Sequence, residues 1–75
     1  MRTELTYTVE RDGEWWIAKC TALDIAGVGV NASTARQNMM GKLNFYLSET
    51  PYMRVERDLR EQGIDIEMIL VEEGA

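Results

Sequence analysis

"ERDGEWWIAKC", residues 10–20, sets two tryptophans side by side in a chain of 75 residues. Successive side chains of a strand point to opposite faces, so Trp15 and Trp16 cannot both enter one core. The dipeptide Asp12-Gly13 between two alternating segments predicts a two-residue hairpin loop, because a type I′ turn needs positive φ at both central positions. With 12 and 13 as the loop, Val9 faces Trp16, Tyr7 faces Ala18 and Leu5 faces Cys20, which makes one apolar face. Trp16 is then the core tryptophan. The opposite face carries Glu4, Thr6, Thr8 and Glu10 with Trp15, Ile17 and Lys19, leaving Trp15 and Ile17 as apolar groups on a mostly polar surface.

Beyond the hairpin, a turn near Thr21–Leu23 leads into a third strand, about Asp24 to Val30, in which Gly27 and Gly29 leave one face nearly bare for close approach of a helix. Asn31 is a good N-cap, and Ala35, Met39, Leu43 and Tyr46 with Met40 and Leu47 have the spacing of an amphipathic helix ending near Ser48. Gly41 weakens its middle. Thr50-Pro51 reads as N-cap and first position of a second, shorter helix carrying Tyr52, Val55 and Leu59 on one stripe, with Gly63 as its stop. The closing "IDIEMILVEE" alternates Ile64, Ile66, Met68 and Leu70 against Asp65, Glu67, Ile69 and Val71, as a half-buried strand does. The fold class is therefore α+β, a two-layer β-β-β-α-β sheet with an extra short helix before the last strand. A right-handed crossover lays that strand parallel to the first, with the main helix over the Trp16 face. All of residues 1–75 read as one domain.

A domain of this size buries only about 60% of its unfolded surface, so a partner is expected. Thirteen acidic residues against eight basic give a net charge of −5, which opposes the phosphate neutralisation behind nucleic-acid binding and favours a basic partner. No apolar run approaches the roughly 20 residues that span a bilayer, and no basic, apolar signal segment opens the chain, so no membrane association is expected. Cys20 is the sole cysteine, which fits a buried thiol in a cytoplasmic protein.

The stretch "GVGVNA" matches the G-x-G-x-x-A form of a dinucleotide fingerprint, with Glu49 about 20 residues on. Its glycines, however, alternate within a strand of an antiparallel meander, and the motif needs a parallel βαβ turn. No cofactor is expected. Without histidine, neither a Cys-His pair nor a nitrogen and sulfur metal cage can be built. The strand order resembles a truncated ribonuclease H fold, whose two-metal chemistry wants acids converging from the first strand, the crossover helix and the last strand. Here the first strand offers Thr6, Tyr7 and Thr8 at its middle, and the helix has no acid before Glu49, so no catalytic residues are assigned and the chain is not read as an enzyme. Met39, Met40, Met53 and Met68 fit core packing or an adaptable contact surface. Arg54, Arg57 and Arg60, at i, i+3 and i+6, interleave with Glu56, Asp58 and Glu61 as an ion-paired solvated face.

Taken together, "YTVERDGEWWIAKCTALDIAGVGVNASTARQNMMGKLNFYL" resembles the N-terminal domain of the HicB antitoxin family over roughly residues 5–47. That family shows a "W-x-A-x-C" strand, an "L-x-x-x-G" segment, a "G-D-T-x-E-E-A" helix start and a helix ending in "Y-L". Trp16, Ala18, Cys20, Leu23, Gly27, Gly29, Ala35, Tyr46 and Leu47 fall at matching positions. Val30-Asn31 replaces the usual Asp-Thr, Ser33-Thr34 the acidic pair, and Arg36 a common aliphatic residue. The resemblance implies a partial ribonuclease H-like topology and, for antitoxin members, binding to a small HicA-like ribonuclease toxin; the DNA-binding domain that many relatives carry has no counterpart in these 75 residues. The rival expectation is a stand-alone structural domain that only self-associates as a homodimer or higher homo-oligomer. Either way, the expected association surface is the face holding Trp15, Ile17, Ile69 and Val71, rimmed by Glu10, Asp12, Glu14 and Glu4.

Overall fold

The computed structural model describes residues 1–74. In order, strands β1 (Arg2–Asp12) and β2 (Trp15–Cys20), a 3₁₀ turn (Thr21–Leu23), strand β3 (Ile25–Gly29), helices α1 (Ala32–Glu49) and α2 (Tyr52–Glu61) and strand β4 (Ile64–Glu72) form an α+β domain. The four strands make one mixed sheet in the order β3-β2-β1-β4, antiparallel except for the parallel β1–β4 pair. Both helices lie on one side, α1 over β2 and β3 and α2 over β4, so the parallel crossover expected from the sequence is present.

The hairpin loop falls one residue later than Asp12-Gly13. Asp12 pairs with Trp15, Arg11 with Trp16 and Val9 with Ala18, which makes Gly13 and Glu14 the loop. Gly13 has φ +64°, whereas Glu14 is not in the left-handed region, the pattern of a type II′ turn with glycine first rather than of type I′. Moving the loop by one residue shifts each cross-strand pairing by two, and two is the period of a strand, so every side chain keeps its expected face. Leu5, Tyr7, Ala18 and Cys20 are buried, Trp16 and Val9 pack half-buried beside them, and Trp15 is 53% exposed.

Above this face lie Ala35, Met39 and Leu43 of α1, Val55 and Leu59 of α2, and Ile64 of β4. Gly27 and Gly29 let α1 sit directly on β3: a Cβ at Gly27 would lie 2.1 Å from the Met39 backbone nitrogen, and one at Gly29 2.6 Å from that of Ala35. The helix starts where expected, with Asn31 Oδ1 accepting from the Thr34 backbone N–H at 2.8 Å. α2 starts differently. Thr50 terminates α1, donating its N–H to Tyr46 at 3.1 Å, and the carbonyl of Pro51 accepts from Arg54 and Val55. A residue before proline avoids the helical region, so Thr50 is extended and cannot open the helix. Gly63, at φ +72°, ends α2 as read.

In β4, Ile64 pairs with Arg2 but Ile69 with Glu4, so three extra residues bulge out between them, and Asp65 Oδ1 accepts from the Glu67 N–H at 2.9 Å. The inward set Ile64, Ile66, Met68 and Leu70 still packs on the core. Two side-chain links close the layers. Tyr46 donates to Asp58 at 2.6 Å, joining the helices. Glu72 accepts from Arg36 at 2.9 Å and from Tyr7 at 3.1 Å, which ties α1 to the end of the β1–β4 pair. Arg36 is thus occupied by a partner on β4.

Candidate protein-binding surface

The sheet face away from the helices is uncovered, and its pairings locate every residue expected to form a contact surface. Paired residues on neighbouring strands project to the same side. Trp15 therefore stands beside Asp12, and Ile17 lies between Glu10 and Val28. Val28 is 49% exposed, and Val30, just past the end of β3, is also exposed. Trp15, Ile17 and Val28, with Val30 at the margin, form an apolar corner at the hairpin end, edged by Glu10 and Asp12 and overhung by Glu14 in the turn. A shallow groove continues from it past Glu10, Ile17, Thr8 and Lys19. Arg11 bends back, donating its Nε proton to the Gly13 carbonyl at 2.9 Å, which fixes the tip.

Ile69 and Val71 lie elsewhere. They pair with Glu4 and Thr6 at the other end of β1, on the far edge of the sheet. Two strand spacings and eight residues of β1 separate the Ile69 position from that of Trp15, roughly 30 Å on standard strand dimensions, and the polar Thr6, Thr8 and Lys19 lie between. The residues expected to form one surface thus share the outer face but fall into two groups, whose nearest members, Ile17 and Val71, stand four residues of β1 and two strand spacings apart, roughly 16 Å. Glu4, expected on the hairpin rim, belongs to the Ile69 corner.

Val28 and Val30 escaped sequence reading because the glycines dominated the interpretation of "GVGV". The signal was present: if the glycines face the helix, the alternate valines must face outward. Met39 is buried and Met40 and Met68 pack against the core, whereas Met53 is 81% exposed, so the methionines divide between packing and surface. Burial pushes the Cys20 thiol up, consistent with an inert side chain. Gly27 and Gly29 serve helix packing inside β3 and form no phosphate-binding turn. Among the described residues no three His, Cys, Asp or Glu side chains are placed to hold a metal ion, and no helix is long and apolar enough to cross a membrane. No family model, curated protein or solved structure matches this chain.

Proposed function

We propose that this chain is a HicB-like antitoxin-type protein with a partial ribonuclease H-like topology, which neutralises a small, basic, HicA-like ribonuclease toxin by covering its RNA-binding surface. The observation that carries this reading is the hairpin corner, where exposed Trp15 and Val28 and half-buried Ile17 are edged by Glu10, Asp12 and Glu14 in a chain of net charge −5. An acidic rim speeds encounter with a basic surface, and a buried aromatic anchor slows dissociation. The resemblance over residues 5–47 supplies the partner class. The protein contributes no catalysis in this reading: it acts by occlusion in the cytoplasm, without cofactor, membrane or direct nucleic-acid contact.

A second reading, a stand-alone domain that self-associates as a homodimer or larger assembly, is favoured by the separate Ile69–Val71 patch, which a toxin seated on the hairpin would leave bare. Co-expression with the product of the neighbouring open reading frame separates the two. Rescue of growth and co-purification, both lost in Trp15→Glu, support the antitoxin; neither rescue nor co-purification leaves self-association alone.

A further inference from the structure

We propose that a second copy of this chain docks its acidic hairpin into a basic groove on α2. The groove runs along the outward side of α2 past Pro51, Met53, Arg54, Glu56, Arg57 and Arg60. Three of the chain's eight basic residues line it. Arg57 and Arg60 are each 63% exposed; Arg60 reaches Glu56 at 3.1 Å, while Arg57 lies 3.8 Å from Asp58, a carboxylate already bound by Tyr46. Arg54 makes no ion pair among the described residues. Beside these cations, Tyr52 and Met53 are 64% and 81% exposed, so the groove offers both positive charge and an apolar lip.

The hairpin tip has the complementary chemistry, with Glu10, Asp12 and Glu14 around exposed Trp15. The two sites cannot meet within one molecule. The tip lies at the Asp12 end of β1, whereas α2 runs into β4 at the Arg2 end, where the Gly63 carbonyl accepts the Arg2 N–H at 2.8 Å. Eleven strand residues separate those ends, roughly 33 Å. Hairpin against hairpin or groove against groove would set like charges together, so the charge pattern selects hairpin against groove. Made reciprocally, such a contact closes a two-fold dimer; made in one direction only, it grows into a ring or a filament. It does not rest on the toxin reading, and either can fail alone.

A charge-swap experiment tests it by sedimentation of the whole chain at micromolar concentration. Wild type is expected to associate at low salt and to fall toward monomer mass as salt is raised. A helix variant, Arg54→Glu with Arg57→Glu, and a hairpin variant, Glu10→Lys with Asp12→Lys and Glu14→Lys, are each expected to be monomeric alone and to associate again when mixed. Circular dichroism verifies folding. If the lysine hairpin does not fold, Glu10→Gln with Asp12→Asn and Glu14→Gln replaces it and must lose association. A monomeric wild type at low salt, a helix variant that keeps wild-type mass, or charge-swapped partners that both fold yet fail to associate overturns the proposal.

Discussion

Two glycines that look alike in the sequence have opposite consequences. Gly27 stands under α1, and a methyl there would run into helix backbone, which cannot turn aside as a side chain could. Gly27→Ala is therefore expected to cost about 3 kcal/mol in urea denaturation, at the upper end of overpacking effects. Gly41 is exposed in the middle of α1 with open space around it, so Gly41→Ala should gain about 0.5–1 kcal/mol. Sequence spacing suggested a bare strand face at Gly27; that the backbones touch became visible only in three dimensions. Tyr46 supplies a test by pH. Burial first, then its hydrogen bond to Asp58 and that group's charge, push its hydroxyl up from 10.0 to about 12. The folded state thus holds this proton where the unfolded chain releases it. The stability it contributes is complete below pH 10 and is lost as pH rises through about 12. Denaturation across that window should show a shallower fall for Tyr46→Phe than for wild type; Tyr7 and Cys20, also pushed up by burial, leave a residual slope.

The hairpin shows how an element can be read correctly from an incorrect detail. Asp-Gly favours type I′, but the pairing places the loop at Gly13-Glu14, and the faces survive because the shift is even. Gly13, at φ +64°, then carries the conformational demand, while Asp12 is an ordinary strand residue. Gly13→Ala should lower stability by roughly 1–2 kcal/mol, and Asp12→Ala should change it little, when both are compared by thermal melting. Equal losses would restore the Asp12-Gly13 turn. β4 was legible as an alternating strand, yet its bulge was not, because extra residues are defined only against the partner strand. Likewise the Thr50-Pro51 signal located the start of α2 within a residue but assigned the cap to Thr50, whereas Pro51 itself occupies that position.

The sheet and both helices were legible because their apolar periodicities differ, whereas the spacing of the outward apolar residues across the sheet was not, since faces can be read along a strand and lateral distances require the strand order. That distinction sets a prediction for the whole domain. If the hairpin corner binds a basic partner, Trp15→Glu should weaken that complex by at least tenfold in calorimetry, and Ile69→Glu, roughly 30 Å away on strand dimensions, should leave it unchanged. Equal losses would mean that the partner spans the whole sheet, and no loss from Trp15→Glu would remove the corner from the interface. The parallel pairing of β1 with β4 also imposes an order on biosynthesis. Leu5 and Tyr7 emerge from the ribosome early, but the strand that pairs beside them ends at Glu72. The meander can form while the chain is still growing, with one edge of β1 unsatisfied and open to any passing strand. The vulnerable interval closes only when residue 72 is free to dock, so pausing over the last codons of β4 should raise aggregation more than pausing over those of α1.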